Sequence, residues 1–488
     1  MKKRILTLVA ALSAAALLAA CGDKPPAVTT TDTSAGDTSV TDADTLGIPE
    51  TADYGGEAFN ILSAGNVAYA DFTADENAST PLDSAQYRRK ALVEQNYGVK
   101  IAETVEKAYS SGGGPGYKRL STDANAGDCN FDLALVAGYD VTVLAYSDYL
   151  YDLASIPGID LSKSWWDKRA NENLAVRGVM FFTTGEITVS DNDVAFVILF
   201  NKELRKAYDL DDPYSLVYDG EWTLDTFGAL CKTVTEDLDQ NGIMDANDRF
   251  GVLVWDDSVV GIVNAAGQRC CTIAEDGTIG LTLYNETTLA ALDKYFSIIY
   301  DTQYALTYQR EKVDPLEMWQ ADKGLFWMNT MTRIPQLRGM ESDFGILPYP
   351  KLNAEQQDYY TTVAPYNSQF VCVPLIQKDI ERTGIITEAL AYYGEKIVTP
   401  AYYDVNLVGQ STRDEESADM LEIIFDNLVF DIGYYYQVGP YNKQLIRMVQ
   451  ERDTNFTSMY DSYKTSAERL LTVINTYYAK AVSGWEKQ

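Results

Sequence analysis

Histidine is absent from all 488 residues. Ser-His-Asp and Cys-His nucleophile activation, zinc sites of the His-Glu-x-x-His kind and imidazole proton shuttles are excluded with it, because each needs that ring. Basic side chains are scarce as well: 39 Lys and Arg stand against 71 Asp and Glu, a formal net charge of −32. With the three leader cations set aside the balance is −35, and a field of that sign repels nucleic acid and anionic lipid headgroups. Cysteine is sparse. Beyond Cys21 there remain Cys129, Cys231, Cys270, Cys271 and Cys372, an odd number with no Cys-x-x-Cys spacing, so small buried thiols are expected rather than a zinc cluster. An apolar run of membrane-spanning length is also missing, since the uncharged stretch at residues 5–20 falls short of the roughly 20 residues a transmembrane helix needs.

What is present begins at the N-terminus. "MKKRILTLVAALSAAALLAAC" sets Lys2, Lys3 and Arg4 ahead of that uncharged run and ends in Leu-Ala-Ala-Cys, the pattern of a secretory leader. The ending resembles the lipobox of bacterial lipoproteins, which implies that Cys21 is lipidated and becomes the first mature residue. A stretch rich in Thr, Ser and Asp follows to about Pro49, and it cannot bury enough apolar surface to fold. A flexible chain of that length spans roughly 30 Å r.m.s.. The expected organisation is a signal peptide at 1–20, a lipidated cysteine and disordered tether at 21–49, and a folded part from about Glu50 held outside the cytoplasm at the bacterial cell membrane by its lipid.

The folded part reads as α/β. "EAFNILSAGN" is a short strand, "PLDSAQYRRKALVEQNYG" a helix between a Pro81/Asp83 start and a Gly98 stop, and "VKIAETV" a second strand. A helix in "YKRLSTDANAG" and a strand in "FDLALVAGYD" complete a β-α-β-α-β order, which favours a parallel sheet covered on both faces. Such sheets bind ligands beyond the carboxyl ends of their strands, here residues 63–66 and 137–140. The glycine run "GGGPG" at 112–116 lacks a following Gly-Lys-Ser/Thr and reads as a mobile loop, not a phosphate loop. Further on, "DVAFVILFNKEL" carries a nearly unbroken apolar strand. "GEWTLDTFGALCKTV" then places Thr223 as N-cap of an amphipathic helix with Phe227, Leu230, Cys231 and Val234 on one face.

Taken in order, the lipobox, the tether, the first α/β lobe, "AFVILFNKEL", "EWTLDTFGALCKTV", "FGILPYPK" and "YNSQFVCVP" resemble the family 1 extracellular solute-binding proteins of ABC importers, the group that contains maltose-binding protein. The resemblance implies a two-lobe periplasmic-binding-protein-like fold of type II, with the ligand between lobes joined by a multi-strand hinge. On that basis lobe 1 comprises 50–193 with about 366–428, and lobe 2 comprises 194–365 with about 429–488. The chain is expected to cross near 191–195, 364–370 and 425–434 and to finish in a helix at about 442–479 with the second lobe.

Residues 237–248, "DLDQNGIMDAND", match the spacing of a calcium loop of the EF-hand kind. Asp237, Asp239 and Asn241 fill positions 1, 3 and 5, Gly242 supplies the turn, Ile243 offers its carbonyl at 7, and Asp245 and Asp248 stand at 9 and 12. Alternating carboxylates on a tightly wound loop present oxygens from one side of the chain, as a cation needing six to eight of them requires. Asp248 is shorter than the usual bidentate Glu. The family resemblance implies a structural ion in the second lobe, away from the cleft.

Seven Trp and 34 Tyr point to the cargo, because flat apolar faces with polar rims suit sugar rings. By position in the fold, and for Asp140 and Trp327 by what the family resemblance implies, the ligand-binding candidates are Asn66, Asp140, Trp165 and Trp166 in the first lobe and Trp255, Trp327, Tyr434, Tyr435 and Tyr436 toward the second. The expected function is capture of a small solute, a sugar or oligosaccharide, by a monomer that delivers it to ABC importer membrane subunits. The alternatives are an exported carbohydrate-active enzyme using paired carboxylates and a surface adhesin.

Overall fold

A computed structural model of the protein describes residues 45–67, 69–337, 339–403 and 415–485. The leader, Cys21 and most of the tether lie outside the described residues. Among the described residues no helix is long and apolar enough to cross a membrane.

The chain opens with the alternation the sequence predicts. Strand β1 (Glu57–Gly65) is buried without a break from Ile61 onward, the mark of a strand covered on both faces. The following helix, Pro81–Tyr97, starts in a reciprocal capping box between Thr80 and Asp83 and stops at Gly98, whose φ of 60° suits a residue without a Cβ. β2 (Val99–Lys107) returns parallel to β1, in register from Glu57↔Val99 to Gly65↔Lys107. After the helix Pro115–Ala126, β3 (Leu133–Ala137) pairs parallel on the other side of β1. Gly138 opens a helix at once, Gly138–Ala145, where the sequence pattern carries the strand on to Asp140.

The short helix Ser190–Asp193 leads into a second sheet. Its strands are β4 (Phe196–Asn201), β5 (Phe250–Val254) and, after a small hairpin of β6 (Cys271–Ile273) and β7 (Ile279–Leu281), β8 (Ala305–Thr307), β9 (Gly324–Thr330) and β10 (Phe344–Leu347). The spatial order is β10-β4-β9-β5-β8, with β5, β8 and β9 parallel and β4 antiparallel to both of its neighbours. The helix Leu224–Thr233 is capped by Thr223 as expected and buries Leu224, Phe227, Leu230 and Cys231.

Between the sheets three segments run side by side. Ala195 bridges Val363, and β11 (Thr361–Thr362) pairs parallel with a strand far along the chain, Leu428–Val429, while the chain after β11 passes to β12 (Gln369–Cys372) and later returns as that partner, β13. β12 closes the first sheet antiparallel to β3, giving the order β12-β3-β1-β2. The middle segment of this ribbon lies a few residues before the 364–370 expected from sequence.

Packing also differs from the lobe boundaries drawn by resemblance. The helix Ile380–Tyr393 sits on Pro81–Tyr97 as expected for lobe 1, but Glu415–Phe425, assigned there too, packs on β10, with Ser417 Oγ 2.6 Å from Tyr214 Oη. The last segment is two helices, Tyr441–Glu451 and Phe456–Trp485, separated by Arg452 at φ 58°. The second of them joins both regions. Asn475 bonds Ile279 of β7 through N–H and C=O at 2.9 Å each, whereas Tyr477 accepts from the Asp148 N–H and Tyr478 packs on Phe181. Sequence order could not reveal this, because only long-range side-chain contacts decide it.

Candidate functional site

Strand direction fixes where a ligand can sit. In the first sheet the carboxyl ends of β1, β2 and β3 are Gly65, Lys107 and Ala137, beside the start of β12 through Gln369↔Ala137. In the second they are Val254, Thr307 and Thr330, the last paired with Phe196 at the start of β4. The ribbon binds both edges: the Gln369 N–H donates to Ser190 Oγ at 3.1 Å, the Ala364 N–H to Val194 O at 3.3 Å, and the Met331 N–H to Ala195 O at 3.1 Å. Both carboxyl edges are therefore tied to the same three-segment ribbon, and open sheets of this kind bind ligands beyond such edges.

Two of the sequence candidates stand at these edges. Asn66 follows β1 directly and donates from Nδ2 to Asn367 Oδ1 at 2.7 Å, tying the edge to the ribbon. Trp255 follows β5, with its ring 4.9 Å from that of Phe196, and keeps 8% of its surface exposed.

The other candidates are engaged in the interior. Asp140 is fully buried: it takes the Ser110 hydroxyl, the Gly114 N–H at 2.8 Å and the Tyr117 N–H at 3.3 Å, so it caps the helix Pro115–Ala126 rather than facing a solute. The same contacts settle the glycine run, which is this capped turn. Trp165 and Trp166 do not form a rim. They are 0% and 2% exposed, and their indole N–H groups clamp Glu388, Nε1 to Oε1 at 3.0 Å and Nε1 to Oε2 at 2.9 Å. Trp327 is fully buried against Trp319, ring centroids 5.7 Å apart. Tyr434, Tyr435 and Tyr436 are interior as well: Tyr435 donates to Val363 O of the ribbon at 3.1 Å, and Tyr436 shares a 2.6 Å hydroxyl contact with Tyr478.

Sequence reasoning missed the polar residues that do hold the edges. Asp256 and Asp257 follow Trp255, and Asp256 accepts from Gln450 Nε2 at 2.5 Å. Burial first, and then the neighbouring Asp256 carboxylate, lift Asp257 well above the usual carboxylate range, while Tyr366 acts against them. Tyr139, at the carboxyl edge of β3, accepts from Asn442, and its phenol is raised by burial and then by Asp257. Tyr308, one residue past β8, accepts from Asn329 Nδ2 at 2.9 Å. The signal was available: these residues sit at the strand ends that the carboxyl-edge rule selects.

The loop at 237–248 folds on itself through its acidic side chains. Asp237 accepts from the Asn241 N–H at 3.2 Å and the Gly242 N–H at 2.8 Å, and Asp239 takes the Asn241 N–H at 3.1 Å. Asp248, fully buried, takes the Leu238 and Asp245 N–H groups at 2.9 Å each. Gly242 has φ 81°, the turn that position needs. Oxygens of Asp237, Asp239 and Asp248 all lie within 4.8 Å of one another. Three carboxylates gathered so closely fit a hard cation with oxygen ligands. Asn241 Oδ1 and Asp245 Oδ1 instead accept from the Ile243 and Asn247 N–H groups, and the Ile243 side chain is 66% exposed.

No family model matches this sequence, and no curated protein matches it. Solved structures do. The galacto-N-biose/lacto-N-biose I-binding protein of an ABC transporter from Bifidobacterium longum aligns over 86% of this chain and 98% of its own, at 13% identity and a TM-score of 0.58. The cyclic α-maltosyl-1,6-maltose binding protein from Arthrobacter globiformis aligns over 86% and 99%, at 12% identity and 0.57. An ABC substrate-binding protein from Listeria monocytogenes, solved with cycloalternan, aligns over 86% and 99%, at 13% identity and 0.54. The chain thus has the two-lobe α/β fold of the ABC-transporter solute-binding proteins.

Proposed function

We propose that this chain is an extracytoplasmic solute-binding protein, anchored to the cell membrane through a lipid on Cys21, that captures a sugar or oligosaccharide and passes it as a monomer to the membrane subunits of an ABC importer. The observation that carries the reading is that the carboxyl edges of both sheets are tied to one ribbon of three chain crossings. A ligand held between two bodies on such a ribbon favours their closed arrangement through contacts it makes better there. Asn66 and Asn367 supply amides from one edge, and Trp255 an aromatic surface from the other, a pairing suited to hydroxyls and to the C–H face of a sugar ring. The similar structures named for lacto-N-biose, cyclic maltosyl-maltose and cycloalternan support carbohydrate as the cargo. Binding rather than turnover is the role.

The loop at 237–248 completes the proposal as a calcium site in the second lobe. Asp237, Asp239 and Asp248 would hold the ion, with Asn241, Asp245 and the Ile243 carbonyl as further oxygen donors. Bound calcium supplies countercharge to carboxylates that otherwise repel one another, and so stabilises the loop.

A thermal-shift screen across sugars and oligosaccharides, followed by calorimetric titration and small-angle scattering, tests the reading. A saturable, unhydrolysed ligand that compacts the protein is the expected result. Hydrolysis of the ligand would replace binding with catalysis.

A further inference from the structure

We propose that the solute site runs on past the end of β1 into a groove at the outer strand of the first sheet, where the exposed ring of Tyr109 takes a further ring of the ligand. The cargo is then an extended oligosaccharide rather than a single sugar or a disaccharide. The proposal rests on the solute-binding reading and names the ligand class within it.

β2 is the outermost strand of its sheet, and the residues just past its carboxyl end, Ala108 and Tyr109, line a cavity of about 520 Å³ that reaches along the helix Pro115–Ala126 to Lys118 and Arg119. Small-molecule sites occupy about 300–1,000 Å³. The groove adjoins the strand ends described above. The Ala108 N–H donates to Gly65 O at 3.0 Å, so it begins beside the residue that precedes Asn66. Gly112 passes so close to the end of β3 that a Cβ there would lie 3.6 Å from Tyr139 O, and Gln437, which follows Tyr436, donates from Nε2 to Ser111 O at 2.9 Å. The wall is also fixed in advance, because Asp140 holds this loop through the Ser110 hydroxyl and the Gly114 and Tyr117 N–H groups. A wall already in place costs little ordering when a ligand arrives.

Tyr109 sets the class of ligand. Three tyrosines among the described residues are exposed, and two of them are occupied: Tyr218 donates to Asp419 Oδ2 at 2.8 Å, and Tyr284 stacks on Phe456 with ring centroids 6.0 Å apart. Tyr109 is 62% exposed and makes neither a hydrogen bond nor a ring contact among the described residues. A ring left in water forgoes the burial that aromatic side chains ordinarily gain, and the C–H face of a sugar restores it. Partners for the hydroxyls stand around it. Arg119 Nε meets Glu106 Oε1 at 2.5 Å with the arginine side chain 52% exposed, and Lys118 forms no ion pair among the described residues. An anion fits less well than a neutral sugar: the Gly114 and Tyr117 N–H groups at this helix start already face the Asp140 carboxylate, and Glu106 and Asp123 add like charge to the lining.

The test is calorimetry on the full extracytoplasmic chain with three ladders of increasing length from the disaccharide upward: α-1,4-linked glucose, β-1,4-linked glucose and β-1,4-linked xylose. A ladder that binds should gain affinity with length. Tyr109→Ala should weaken its longest members by about three- to tenfold and leave the disaccharide as it was, whereas Tyr109→Trp, which keeps a ring face, should retain the gain. Gly113→Trp serves as an independent block: Gly113 lines the groove, a Cβ there meets nothing within 4 Å, and the added ring should fill the space and cancel the gain without disturbing the loop. Affinity that does not rise with length in the wild type, or a rise that survives both Tyr109→Ala and Gly113→Trp, overturns the groove and leaves solute binding standing. Failure of every ladder to bind the folded protein overturns the carbohydrate reading, and the groove with it.

Discussion

Replacing Glu388 by Gln should change how stability depends on pH, and the size of the change follows from the clamp described above. The carboxylate is 1% exposed and receives two indole N–H groups, yet burial outweighs those bonds and pushes it up from 4.5 to about 7. Below pH 4.5 both folded and unfolded chains hold the proton, and its contribution to stability is fully present. Between 4.5 and 7 only the folded chain holds it, so stability falls as pH rises, by about 1.4 kcal/mol per pH unit. Above 7 neither state holds it, and the loss levels off at about 3 kcal/mol. The amide introduced by Glu388→Gln has no proton to lose, but it turns an NH2 toward one indole N–H, a fixed cost of about 1–3 kcal/mol for the unmatched donor. Urea unfolding at pH 5, 6, 7 and 8, followed by tryptophan fluorescence, reads both effects. Wild type should exceed the variant clearly at pH 5 and lose that advantage by pH 8. Glu103 and Glu186, also lifted to about 7 by burial, remain in both proteins and cancel. A difference between the two proteins that stays constant across this range would refute the argument.

Calcium at a hundred times its Kd should stabilise the wild type by about 2.7 kcal/mol, a rise of several degrees in Tm that chelation abolishes and Asp239→Ala largely removes. Chelator-treated protein showing no calcium-dependent shift would make the loop a solvated turn. Trp255→Ala should weaken the ligand found by screening by on the order of 2 kcal/mol, about thirtyfold in Kd by calorimetry, and unchanged affinity would take Trp255 out of the site. Cys21→Ser should release the protein from the membrane fraction or leave its leader uncut, and normal processing with full membrane retention would defeat the lipid anchor.

The secondary structure was legible wherever one local cause sufficed. Thr80 and Thr223 begin their helices because their hydroxyls meet orphan N–H groups, and Phe196–Asn201 is a central strand because its first five residues are all apolar. The site was legible only as far as strand ends could be located. Placing the end of β3 near Asp140 instead of Ala137 pointed to the wrong side chain: the helix starting at Gly138 turns Asp140 inward to cap a neighbour and leaves Tyr139 at the edge. Aromatic content could not separate Trp255 from Trp165, Trp166 and Trp327, since burial of an indole is decided by elements hundreds of residues away, as Glu388 is for the Trp pair. The acids after Trp255 went unread because a search for rings passes over carboxylates.

The way β12 closes the first sheet has a consequence for how the chain is made. Ala137 of β3 waits for Gln369 of β12, about 230 positions later, before its outer row of peptide groups is paired. At synthesis rates of about 5–20 residues per second that edge stays open for roughly 12–46 s. An apolar strand with an unpaired edge is a template for association with other chains, and contacts this distant in sequence are slow to form even once both partners exist. The first sheet is therefore completed only after the second has been made, and a chain cut anywhere in the second sheet yields a first sheet without its fourth strand. A shortened version ending before residue 369 should aggregate rather than fold as an independent lobe.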